Sequence, residues 1–150
     1  MASPETFTTH SEHETFALGE QLAATLQRGA FVLLHGDLGA GKTAFVRGMA
    51  AGLGADPDDV SSPTFVLIQH YKGRVPLVHV DLYRLERGAA VDDLGLEDLT
   101  AEAVVAIEWA ERLPRKLDGS VTVKIEDLGD NTRSITIERG TRNPTTYSDR

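Results

Sequence analysis

The sequence contains no cysteine, so disulfides, thiolate nucleophiles and cysteine-ligated metals are excluded at once. It also lacks any apolar run of about 18 residues, the length a membrane helix needs. The opening MASPETFTTHSEHE has neither the basic n-region nor the apolar h-region of a signal peptide. A soluble, cytoplasmic protein without membrane contact is the expectation. Positive charge is scarce as well: 15 Lys and Arg against 23 Asp and Glu leave a net charge of −8, and no basic stripe runs along the chain. A protein that grips a phosphate backbone unaided carries the opposite balance, which disfavours autonomous nucleic-acid binding. His10, His13, His35, His70 and His79 show no i,i+4 pairing and no metal-ligand cluster, so they read as solvated or ordinary packed imidazoles. Internal repeats and low-complexity segments are absent.

What remains suits one domain. The chain has 150 residues, 41% hydrophobic and 25% charged, enough to build a core without staples. Residues 1–150 are read as a single unit in which 1–10 and 141–150 are loosely held, although Phe7 offers a side chain for docking or a short edge strand. Ser11 and Glu14 form an S-x-x-E capping box, and Leu18, Leu22 and Leu26 recur at helical spacing, predicting a helix over 11–28 that Gly29 ends. Phe31 to Leu34 is a short unbroken apolar run, as expected for a strand buried on both faces. A second helix is expected from Lys42 to about Gly52, and ADPDDVSSP then breaks regular structure.

Further along, Phe65 to Ile68 and Val75 to Val80 flank a turn at Gly73 and predict an antiparallel hairpin, with Val78 and Val80 on one face and Leu77 and His79 on the other. Residues 86–99 read as short helical or turn pieces. Ala103 to Ile107 is a second continuous apolar run, expected as a central parallel strand. Val121 to Ile125 and Ser134 to Ile137 predict a closing hairpin around DLGDNTR. The fold class that follows is α/β, with a mixed, largely parallel central sheet and antiparallel hairpins.

Directly after the first buried strand stands GDLGAGKT, residues 36–43, which fits G-x-x-x-x-G-K-[ST] without deviation. Gly36, Gly39 and Gly41 let the backbone curl so that the amides of Asp37, Leu38, Ala40 and their neighbours point at phosphate oxygens. Lys42 supplies a charge to the β- and γ-phosphates, the Thr43 hydroxyl ligates Mg2+, and the helix continuing through Ala44 aims its positive end at the same anion. A nucleoside triphosphate with Mg2+ is therefore the expected ligand, and the domain is expected to be a three-layer, P-loop NTPase-like one.

Such a site needs a carboxylate from a second strand, and two candidates follow apolar runs: Asp81 after LVHV and Glu108 after VVAI. The run before Glu108 is apolar on both faces, which favours Glu108 on the Mg2+ side and leaves Asp81 to orient the attacking water. The reverse assignment stays open. Thr64, in SSPTF, is placed to sense a γ-phosphate, or simply makes an ST-turn. Trp109, the single tryptophan, packs in the core, anchors a partner or lies near the nucleotide.

The set GDLGAGKT, SSPTF, HVDLYRL and AIEWAERL resembles, in order and spacing, the bacterial TsaE (YjeE) family, over about Leu18 to Leu113. The resemblance implies a small P-loop ATPase needed for threonylcarbamoyladenosine modification of tRNA, weak alone and dependent on the TsaB and TsaD proteins, with tRNA met only through their complex. By the same resemblance Lys42 and Thr43 take the Walker A roles, Thr64 the switch-like threonine, Asp81 the HxDxYR aspartate and Glu108 the EW glutamate. The rivals are a small-molecule kinase, a GTPase and a non-hydrolysing interaction module. Against them, Arg84, Arg87 and Arg112 are too dispersed for a phosphate-clamping lid, and the D-x-x-G at Asp92 follows no apolar strand and has no N-K-x-D companion.

Overall fold

The computed structural model describes residues 4–36, 41–60, 68–82, 101–109 and 119–140. Its strands are β1 (Glu5–Thr9), β2 (Phe31–His35), β3 (Ile68–Tyr71), β4 (Leu77–Asp81), β5 (Val104–Glu108), β6 (Val121–Gly129) and β7 (Thr132–Arg139). Two helices, α1 (Glu12–Ala24) and α2 (Lys42–Gly52), and one 3-10 turn at Pro57–Asp59 complete the described elements. The strands form one sheet in the order β1-β7-β6-β2-β5-β4-β3. Its central four, β6, β2, β5 and β4, are parallel, while β3, β7 and β1 are added antiparallel. The mixed, largely parallel α/β fold follows the expectation, and among the described residues the sheet is covered by helices α1 and α2 on one face.

The two apolar runs account for the sheet's centre. β2 and β5 pair directly, Leu33 opposite Ile107 and Leu34 opposite Glu108. Their alternate residues feed two cores. Val32, Leu34, Val104 and Ala106 pack against Leu18, Leu22, Phe45, Val46 and Met49 of the helices. Leu33, Val105 and Ile107 join Val78, Val80 and Leu82 on the opposite face. Each fully buried side chain of this kind contributes about 1.5–3 kcal/mol.

Several boundaries differ from the expectation for identifiable reasons. α1 stops at Ala24, four residues early, because the Thr25 hydroxyl donates to the Leu22 carbonyl at 2.7 Å and closes the last turn. Ser11 caps α1 as foreseen, but Glu14 returns to the His10 amide at 2.7 Å, not to that of Ser11. Both readings of Phe7 are seen: β1 is an edge strand along β7, with Phe7 opposite Ile135, and the Phe7 side chain packs against the core. The β3–β4 hairpin has the expected antiparallel sense, while Phe65, Val66, Leu67 and residues 86–99 lie outside the described residues. β4 alternates as foreseen between the two cores and is buried on both faces, but it lies one place further from β2 than β5 does, beside the edge strand β3. The closing hairpin is longer than expected because DLG continues β6, and Asp130 and Asn131, both at positive φ, make the two-residue turn.

The helices cross closely on one face of the sheet. A Cβ on Gly19 would lie 2.2 Å from the Phe45 carbonyl oxygen, and one on Gly48 would lie 1.9 Å from that of Phe16. Glycine at these two positions lets the backbones touch, bringing both helix N-termini to one edge of the sheet.

Candidate functional site

The site lies where the parallel strands end. Gly36 follows β2, and Gly41 begins α2 with φ of 107°, a left-handed conformation that glycine adopts without strain. No side chain caps α2, and its first turn holds no acidic residue, so its leading amides are left to the cleft. The cleft, of about 210 Å3, is lined by Gly41, Lys42, Thr43 and Ala44 on one side and by Ser11, Glu12, Thr15, Asn131 and Arg133 on the other, with Glu108 between.

Lys42 is held in place from two directions. Its Nζ donates to the Gly36 carbonyl at 2.5 Å and lies 4.3 Å from the centroid of the Trp109 ring. A cation over a ring gains about 0.5–2 kcal/mol, more when water is excluded, and Lys42 is only 5% exposed. Trp109 adopts φ of 60°, costly for a bulky residue by about 1–3 kcal/mol. That turn of the backbone immediately after β5 accompanies the ring's approach to Lys42, and Trp109 is at the same time partly buried against the core of Leu33, Val105 and Ile107.

Asp81 and Glu108 end adjacent parallel strands and pair in register. Paired residues share a face, which is the helix-covered face of Leu77 and Ala106. Glu108 is 6% exposed and lines the cleft with Thr43, whereas Asp81 is half-buried and is not among the lining residues. Glu108 also meets His79, whose Nε2 lies 2.5 Å from Glu108 Oε2. His79 is buried, as an ordinary packed imidazole would be, but the reading of the histidines missed this partner. The signal available was its i, i+2 spacing from Asp81, which puts both on one face of a strand.

Sequence reasoning also missed the far wall of the cleft. Asp127 Oδ1 accepts from the Gly129 amide at 2.9 Å and from Arg133 Nη1 at 3.0 Å, and this fixes the β6–β7 turn so that Asn131 and Arg133 face Gly41. Of the expected site residues, the structure brings together Gly41, Lys42, Thr43, Ala44 and Glu108, with Gly36 touching Lys42. Asp37, Leu38, Gly39, Ala40 and Thr64 lie outside the described residues, as do Arg84, Arg87, Asp92 and Arg112.

The donor set fits magnesium triphosphate. Among the described residues no three His, Asp or Glu side chains converge on a cation. Mg2+ bound with phosphates needs no such cage, only one or two protein ligands, and Thr43 and Glu108 line the same cleft.

Residues 9–135 match the family profile described as "Threonylcarbamoyl adenosine biosynthesis protein TsaE". The chain belongs to the TsaE family. Relatives of this TsaE-family chain named "tRNA threonylcarbamoyladenosine biosynthesis protein TsaE" include one from Treponema pallidum, 39% identical and covering 85% of this chain and 95% of the relative. One from Nostoc sp. is 42% identical over 83% and 81% of the two chains. Among solved structures, Bacillus subtilis YdiB superposes with a TM-score of 0.72 at 31% identity, covering 99% of this chain and 92% of that one. Among the described residues of this family member, no helix is long and apolar enough to cross a membrane.

Proposed function

We propose that this chain is the Mg2+-dependent ATP-binding and ATP-hydrolysing member of a cytoplasmic tRNA threonylcarbamoyladenosine-modifying system, weak alone and working with TsaB and TsaD proteins to sustain turnover. The observation that carries this reading is a helix start with no internal cap, led by Gly41 and Lys42, opening on a cleft that also holds Thr43 and Glu108. Amides left without acceptors, a helix dipole and a lysine together make an anion site suited to a polyphosphate. Family membership and the relatives' printed names support the tRNA-modification role. The net charge of −8 is in keeping with tRNA being met only through partner proteins.

In this reading Lys42 holds the β- and γ-phosphates, and the amides of residues 36 to 44, with Thr64, surround the phosphate tail. Thr43 and Glu108 hold Mg2+, while Asp81 orients the attacking water. Held by Thr43 and Glu108, Mg2+ would supply positive charge beside the phosphate tail. Glu12, Asn131 and Arg133 line the same cleft as the start of α2.

The test is a titration of ATP against GTP, followed by phosphate release with and without the cognate TsaB and TsaD proteins. ATP preference, with hydrolysis that needs no added acceptor and rises with the partners, is expected. Transfer of phosphate to a small acceptor would make it a kinase instead, and absence of nucleotide binding would end the proposal.

A further inference from the structure

We infer that His79 is a positioning residue which aims the Glu108 carboxylate at the divalent cation, an inference that rests on the nucleotide reading above. His79 is 0% exposed at the centre of β4, flanked by Val78 and Val80. Its Nε2 meets Glu108 Oε2 at 2.5 Å, while its Nδ1 is buried with no hydrogen-bond partner among the described residues. An imidazole kept for packing alone makes little sense here, since an apolar side chain of similar size would fill the space without stranding a nitrogen. Its one polar contact given among the described residues is with Glu108.

An ionised carboxylate only accepts hydrogen bonds, so Nε2 is the donor of this pair. With Oε2 engaged by the sheet interior, the other oxygen of Glu108 is the one left for the cleft that Thr43 shares. Glutamate has three rotatable side-chain bonds, and fixing them in advance removes an ordering cost that would otherwise fall on cation binding. Asp81 reaches the same face from the same strand two residues later, so β4 would supply both a candidate water-orienting group and the support for its neighbour's metal ligand.

The experiment measures Mn2+, in place of Mg2+, binding to the full chain with ADP, the free ion being read by electron paramagnetic resonance. His79→Leu should weaken Mn2+ binding about tenfold or more, while ADP affinity in EDTA stays within about twofold. His79→Gln, which carries an amide hydrogen near the Nε2 position, should recover binding to within about threefold of the parent. In a Glu108→Ala background, His79→Leu should change nothing further. Unchanged Mn2+ affinity in His79→Leu, or the same loss with and without Glu108, would overturn the assignment and make His79 a packing residue. Should His79→Leu not fold, His79→Asn, whose amide stops short of Glu108, takes its place with the same two outcomes. Parent protein that binds neither ADP nor Mn2+ would overturn the nucleotide reading itself and this inference with it.

Discussion

The two helices start on the same cleft and treat their N-termini in opposite ways. α1 is closed by its own sequence: Ser11, in extended backbone at φ of −159°, accepts from the Glu14 amide at 3.1 Å, and Glu12 and Glu14 set negative charge against the dipole. α2 begins at Gly41 with no side-chain cap, no acid in its first turn and a lysine there instead. A cation at the positive end of a helix is unfavourable by about 0.3–1 kcal/mol unless an anion joins it. The same element is finished internally in one case and left for an outside anion in the other. One helix start is thus closed by its own side chain, while the other keeps open amides on the same cleft.

The change that most directly breaks this contrast is Lys42→Ala. Charge-assisted contacts to phosphate are worth about 1.5–3 kcal/mol, so ATP affinity should fall by up to about a hundredfold in an isothermal titration. Parental affinity in that titration would mean that α2's open start is not a phosphate site.

Gly48→Ala should come next, and it acts on both helices at once. With only 1.9 Å between the new methyl and the Phe16 carbonyl oxygen, α1 and α2 have to separate, at a cost of about 1–3 kcal/mol. Thermal melting should show the loss, and nucleotide affinity should fall with it because both walls of the cleft move. A variant that melts like the parent would show that the crossing tolerates more space than the geometry allows.

The two strand-end carboxylates sharpen the contrast from the metal side. Glu108→Ala should raise the Mg2+ concentration for half-maximal hydrolysis by about tenfold, whereas Asp81→Ala should chiefly slow the maximal rate. If a magnesium titration gives the reverse pattern, the two roles exchange.

Much of this arrangement is legible in the chain because it is written locally. Phe31 to Leu34 and Val104 to Ile107 are unbroken apolar runs, and runs of that kind belong to strands buried on both faces. The start of α2 at Gly41 and Lys42 and the Ser11 cap are likewise contained within a few residues. What escaped notice depends on distant parts meeting. His79 and Glu108 are 29 positions apart and touch only through the β4–β5 register. Gly19 and Gly48 look like weak points in their helices until the helices are known to cross. Arg133 enters the site because a turn at Asp130 and Asn131 returns β7 past the start of α2, which no local pattern near the phosphate loop announces. The alternation of β4 rightly set it further from β2 than β5, but gave no sign that its polar member, His79, is buried against a partner from the neighbouring strand.

The smallest expected effect tests the closed half of the comparison. Ser11 accepts from the Glu14 amide and also borders the cleft, so its hydroxyl touches both stability and the site. Ser11→Ala should cost about 1 kcal/mol in denaturant unfolding, the usual loss for an N-cap, and Ser11→Asp should retain most of the parental stability. Ser11→Gly should lose only a few tenths of a kcal/mol, since glycine leaves the first amides open to water. That order, aspartate near the parent, glycine slightly below and alanine lowest, is the signature of a cap. Equal stability in all three would mean that α1 is held by its packing on α2 alone, and the distinction between a finished and an unfinished helix start would lose its energetic basis.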